Sequence, residues 1–220
     1  MKILFFLGFP NPFPGAAWTR IGFFADQWSR KGHSVEILGT FGYKSLKKRG
    51  VRKFGNVDIF NFIFSMGVNH PLIFITNIFV SFIVSTIFLL IKKPDIMIIS
   101  VPTGDTGIGA MMACRLLRVG YVIDYRDEWE DYAISLAKSK IGKLFYSTVK
   151  KFATLLYMRG RVIVAVTPNT EKALIKRGLR NVTLVTNGAD IQTFKPLNIR
   201  KKKEKILQFS IQVVWTSTID

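Results

Sequence analysis

A chain of 220 residues, 49% of them hydrophobic, is long enough for one large domain or two small ones and rich enough in apolar side chains for a core, which excludes global disorder. Its 32 Lys plus Arg against 14 Asp plus Glu leave a formal net charge of +18, a field that attracts polyanions. The basic residues are dispersed or fall in short runs (44–53, 138–151, 200–205), without the interleaved aromatic and glycine residues of a nucleic-acid platform. Nucleic acid is therefore disfavoured, and anionic lipid and phosphate-bearing substrates remain.

Met1-Lys2 followed by Ile3-Leu4-Phe5-Phe6-Leu7 has the flavour of a signal peptide, but the apolar run is short and Pro10, Pro12 and Pro14 break it. A buried first strand over residues 2–7 is the better reading. Beyond it, short apolar runs alternate with longer helix-compatible segments, the pattern of a parallel α/β sheet covered on both faces. The expected strands are 2–7, 34–38, 57–62, 95–101, 121–125, 162–167 and 182–185. Between them, residues 18–31, 72–92, 107–118, 141–158 and 169–177 read as crossover helices. Cys114, the single cysteine, excludes an intramolecular disulfide and reads as a small buried hydrophobe in a reducing, cytoplasmic compartment.

Residues 72–91 are 20 consecutive uncharged residues and could span a bilayer if taken alone. They lie, however, between two expected strands of one parallel sheet, and a spanning helix would put those strands on opposite sides of the membrane. Thr76, Asn77, Ser81, Ser85 and Thr86 add a mildly polar stripe. The expectation is a very apolar crossover helix that dips into a membrane interface, with Lys92 and Lys93 suited to its C-terminus or to phospholipid headgroups.

The first strand runs into a loop with Pro10, Pro12, Pro14 and Gly15, then a helix with Arg20 in its opening turns. Free backbone N–H groups at a helix N-terminus suit a phosphate or a sugar hydroxyl, but the G-x-G-x-x-G spacing of a dinucleotide fingerprint is missing. Gly32 reads as a helix C-cap, and His33, at the amino-terminal edge of its strand, as structural. Ligands of open α/β sheets collect at the carboxyl ends, which points to Thr103-Gly104-Asp105-Thr106-Gly107 and to Asp124-Tyr125-Arg126-Asp127-Glu128-Trp129. Asp105 is expected to cap a helix. The adjacent charges of Arg126 and Asp127 fit either recognition of hydroxyls or phosphate, or an internal ion pair. Asn187-Gly188 is expected to supply the positive φ angles of a turn.

Taken in order, these segments resemble the N-terminal domain of family-4 (group 1) glycosyltransferases, retaining enzymes of the GT-B fold. The pieces that carry the resemblance are the Pro-rich loop into Gly15 with Arg20, Arg30-Lys31-Gly32-His33-Ser34-Val35, Lys93-Pro94-Asp95, Arg126-Asp127-Glu128-Trp129, and Val185-Thr186-Asn187-Gly188-Ala189-Asp190 with Phe194-Lys195-Pro196. They run from residue 1 to about residue 197, and the last is the most specific. The resemblance implies a Rossmann-like doubly wound parallel sheet of about seven strands forming the N-terminal half of a GT-B fold. It also implies transfer of a sugar, with retention, from a nucleotide-sugar donor to a free or lipid-linked saccharide acceptor, with no cofactor beyond the donor and no obligatory metal.

By the same resemblance, Gly15 and Ala16 lie in the loop that approaches the donor phosphates, with Arg20 beside it; Ala16 departs from the second glycine of many relatives. Arg126, Asp127 and Glu128 fall where relatives contact the acceptor, Asp127 being the candidate to orient the attacking hydroxyl, and Asn187 completes the substrate-binding set. The domain organisation expected is a glycosyltransferase domain at 1–197, a basic linker at 198–205, and at 206–220 the aberrant start of a missing donor-binding domain. One choice of synonymous codons from Phe209 onward, read in a shifted frame, encodes a Ser-Gly turn of the kind expected there, so a slipped reading frame is one explanation. A partner subunit carrying the donor half is another. The competing expectation is a noncatalytic basic domain at an anionic membrane surface, peripheral on the inner face of the cell membrane.

Overall fold

The computed structural model describes residues 1–10, 16–67, 70–101 and 104–188. The unit that ends at Asn187 contains everything below; the second, Gly188–Asp220, lies outside the described residues except for Gly188, as do the expected linker and the 206–220 segment.

Eight strands make one sheet in the order β3-β4-β2-β1-β5-β6-β7-β8. They are β1 (Lys2–Pro10), β2 (Ser34–Phe41), β3 (Gly50–Phe54), β4 (Val57–Phe64), β5 (Ile96–Val101), β6 (Gly120–Tyr125), β7 (Val162–Ala165) and β8 (Val182–Leu184). Every neighbouring pair is parallel except β3 with β4. The helices are α1 (Ala16–Arg30), α2 (Pro71–Lys92), α3 (Gly104–Leu116), α4 (Trp129–Leu136), α5 (Lys140–Met158) and α6 (Pro168–Lys176), with a short 3-10 helix at Tyr43–Lys48.

The strands are apolar on both faces because both faces are covered. Along β1 the side chains alternate: Ile3, Phe5 and Leu7 pack with Trp18, Ile21 and Ala25 of α1, whereas Leu4 and Phe6 join the core beneath α2, α3 and α5. Cys114 is fully buried in that second core, with its Sγ 3.3 Å from Met97 Sδ. Burial pushes its thiol up to about 12, so it stays protonated and inert.

Three elements escape the sequence reading, the short 3-10 helix at Tyr43–Lys48 among them. β3 is an eighth, antiparallel edge strand whose Val51, Arg52 and Lys53 are exposed. With no buried face it needs no apolar alternation, and its lysine and arginine are what a solvent-facing edge tolerates. The 8-residue α4 follows β6 directly and buries Trp129 and Glu130.

α2 begins at His70, whose Nδ1 accepts from the Leu72 backbone N–H, and at Pro71; it ends with Lys93 at a φ of 47°. It is long and apolar enough to cross a membrane, yet β4 before it and β5 after it lie in the same sheet, so it is a crossover helix. Its inner face carries the polar stripe beside the buried Phe74, Phe88 and Leu89. Asn77, Ser81 and Ser85, one helical turn apart, are fully buried, and Ser81 Oγ donates to the Thr106 carbonyl at 2.6 Å. The two helices touch backbone to backbone there: a Cβ on Gly109 of α3 would collide with the Ile78 carbonyl. Thr76 and Thr86, the outer members of the stripe, donate to the carbonyls of Leu72 and Phe82 in their own helix.

Candidate functional site

At the carboxyl end of the sheet the buried polar groups organise around Arg20. Its Nε donates to Asp124 Oδ1 at 3.0 Å, one Nη to the Thr186 carbonyl and to Asn187 Oδ1 at 3.2 and 3.0 Å, and the other Nη to the Val185 carbonyl at 2.9 Å. Its guanidinium also lies 5.0 Å from the Phe24 ring centroid. Arg20 and Asp124 are only 8% and 5% exposed, so this pair is desolvated and its partners fix its geometry. One side chain of α1 thereby ties the end of β6 to the segment leaving β8. Burial raises the Asp124 carboxyl from its ordinary value, and the charges of Arg20 and Arg126 pull against that shift. Thr106 Oγ1 donates to the Gly8 carbonyl at 3.1 Å, joining the end of β1 to the start of α3.

Immediately after Asp124 the chain turns outward. Arg126 is half-buried, while Asp127 and Glu128 are exposed and their side chains make no hydrogen bond or ion pair among the described residues. The buried ion pair at this strand end is the one between Arg20 and Asp124. Burial resumes at Trp129, and Glu130 is fully buried, accepting from the Tyr125 hydroxyl at 2.7 Å and from Arg177 Nη1 at 2.9 Å. Arg177 also donates to Thr154 Oγ1 and to the Lys150 carbonyl and stacks on Tyr157, locking α4, α5 and α6 together.

Beside this turn lies a cavity of about 870 Å³ formed by the N-terminal ends of α2, α3 and α5 and by α4. Phe74, Trp129, Leu136, Ile141 and Tyr146 give it apolar walls, Lys138 and His70 stand at its edge, and Asp105 is on its floor. Gly104 is required there, because a Cβ would overlap the Trp129 ring. Asp105 sits in the first turn of α3 rather than before it, 1% exposed, and accepts from Asn77 Nδ2 at 2.6 Å. Burial is the largest influence on its carboxyl and raises it, outweighing the hydrogen bonds that lower it.

The structure thus brings Arg20 and Asn187 into direct contact, sets Arg126 near Asp124, and leaves Asp127 and Glu128 facing solvent; none of these lines the cavity. Ala16 is the first residue of α1, and Gly15 and the preceding proline loop lie outside the described residues, as do Asp190, Phe194, Lys195 and Pro196. Neither Asn187 nor Gly188 takes a positive φ, a correction to the turn reading: Asn187 serves Arg20 as an acceptor outside any regular element. The sequence reading places Asp124 in a ligand-facing segment without a role of its own and passes over Glu130 and Arg177. Their only signal was a charged residue inside or directly beside an apolar run, which demands a partner.

No curated protein matches the sequence. Among solved structures, the sucrose-phosphate synthase of Thermosynechococcus elongatus superposes with a TM-score of 0.64 at 9% identity, over 90% of this chain and 51% of that one. The UDP-GlcNAc 2-epimerase of Methanocaldococcus jannaschii gives 0.52 at 12% identity, over 84% and 45%. That of Neisseria meningitidis, bound to UDP-GlcNAc, gives 0.51 at 16% identity over the same shares. The chain thus spans about half the length of the structures it matches, and at these identities the likeness establishes fold: a Rossmann-like GT-B half. The profile of Glycosyltransferase Family 4 matches residues 18–193, most of the chain, and the chain belongs to that family.

Proposed function

We propose that this domain is the acceptor side of a retaining glycosyltransferase that takes its sugar from a nucleotide-sugar donor and works with a donor-binding half of similar size. The observation that carries the reading is the outward turn after β6. Asp127 and Glu128 stand exposed at the carboxyl end of the sheet, held between two buried anchors, Asp124 with Arg20 and Glu130 with Arg177. An exposed carboxylate on a rigid mount can accept a hydrogen bond from an acceptor hydroxyl and aim its oxygen at the anomeric carbon.

In the step proposed, the bond between the anomeric carbon and the donor diphosphate breaks, a glycosidic bond to the acceptor oxygen forms on the same face, and the acceptor proton passes to the departing diphosphate. The start of α1 at Ala16 supports a donor phosphate beside Gly15 and Ala16, since helix N-termini offer free N–H groups and a positive dipole end. Arg20 contributes indirectly, by holding Asp124 and Asn187. The apolar cavity next to the turn suits the non-sugar part of a lipid-linked saccharide. No metal enters this step.

The test joins the chain to a donor-binding half and supplies labelled UDP-glucose, UDP-N-acetylglucosamine or GDP-mannose with soluble oligosaccharides or a lipid extract. Label in an acceptor fraction, with the anomeric configuration of the donor, is the expected result. Hydrolysis only contradicts the acceptor-side reading, and no consumption of any donor contradicts it and favours the noncatalytic reading.

A further inference from the structure

α2 buries Phe74, Phe88 and Leu89 together with Asn77, Ser81 and Ser85 on its inner side, while Leu72, Ile75, Phe79, Ile83, Ile87 and Leu90, three or four residues apart, stand 66%, 50%, 61%, 40%, 53% and 55% exposed along its outer side. This is a continuous apolar stripe about 30 Å long, by the rise of an α-helix. A second exposed apolar pair, Ile141 and Leu144 of α5, 81% and 69% exposed, follows the start of α5, the helix whose Phe145 and Tyr146 pack against Phe74 on the inner side of α2 with ring centroids 5.9 and 5.8 Å apart.

Charge selects what covers this surface. Neither α2 nor α5 contains an aspartate or glutamate, and the exposed Lys93, Lys138, Lys140 and Lys143 stand at the C-terminal end of α2 and around the start of α5. A second copy would oppose the same lysines on a chain whose net charge is already +18. An anionic lipid surface satisfies both halves of the pattern at once, taking the apolar side chains into the acyl boundary and pairing the lysines with headgroup phosphates.

We infer that the outer face of α2, with the first turns of α5, docks the domain on the surface of an anionic bilayer, lying on it rather than crossing it. This inference rests on the exposed face alone and is independent of the transferase reading. Docked in this way, the protein presents the mouth of the α4–α5 cavity at the lipid boundary.

Co-sedimentation of the full chain with vesicles tests it, using phosphatidylcholine alone or mixed equally with phosphatidylglycerol. The expected result is binding to the mixed vesicles that weakens with salt. It should fall at least about tenfold in Phe79→Glu/Ile83→Glu and in Ile141→Glu/Leu144→Glu, since each pair removes two apolar side chains from the lipid and adds repulsion. These side chains are exposed, so circular dichroism should be unchanged; Phe79→Ser, with an intermediate loss, serves if a double variant misfolds. No binding, equal binding to phosphatidylcholine alone, or unchanged binding of the variants overturns the inference. So does a lipid-free dimer, seen by sedimentation velocity, that Phe79→Glu dissociates.

Discussion

Residues 124 to 130 contain four carboxylates that the fold uses in two opposite ways. Asp124 and Glu130 are buried and bound to arginines from distant segments, whereas Asp127 and Glu128, between them, face solvent. The buried pair fixes the ends of the turn, and the exposed pair is what the turn presents. Removing an anchor should therefore damage the fold, and removing a presented group should damage only chemistry.

The largest effect is expected at the inner anchor. Glu130→Ala leaves Arg177 buried without its counter-charge and should cost about 3–5 kcal/mol, read by denaturant unfolding. Arg20→Ala should come next, at about 3 kcal/mol, because it strands Asp124 and releases the carbonyls of Val185 and Thr186. Arg20→Lys should not restore it, since a single ammonium cannot replace a planar fork that reaches partners on β6 and on the segment after β8. If either anchor variant unfolds like the wild type, the division between anchors and presented groups fails.

A smaller, pH-dependent effect is expected at Asp105. Its folded carboxyl lies above the unfolded value, so the stability linked to it is fully present below the unfolded value and is lost as pH rises through the folded one. Asp105→Asn keeps an acceptor for Asn77 and removes that loss. Its melting temperature should exceed that of the wild type at pH 7, and the advantage should vanish toward pH 3; an advantage independent of pH would point to another cause. The smallest stability change, within about 0.5 kcal/mol, is expected for Asp127→Ala, as for surface positions in general.

Much of this fold is legible in the residues, because a parallel sheet buried on both faces writes its strands as apolar runs with helices between them. What is not legible is what lacks that signature. β3 is an exposed edge, and α4 is two turns long, too short to display a helical period. The polar stripe on α2 is visible, but periodicity cannot say which side faces the protein, and here Asn77, Ser81 and Ser85 face inward where Gly109 lets two backbones come together. At the candidate site, the buried pair that anchors the turn joins Arg20 to Asp124, 104 residues apart in sequence. Spacing along the chain carries no trace of such a contact.

The most direct test of the acceptor-side reading is sugar transfer from the same labelled nucleotide sugars by the chain joined to a donor-binding half, comparing wild type with Asp127→Ala at matched melting temperature. The expected result is label in the saccharide or lipid fraction with the wild type and a fall of at least about tenfold in kcat/KM with the variant, the scale of one lost positioning contact. Equal transfer by the two proteins would remove Asp127 from the site, and no transfer from any donor would contradict the assignment of this domain to glycosyl transfer.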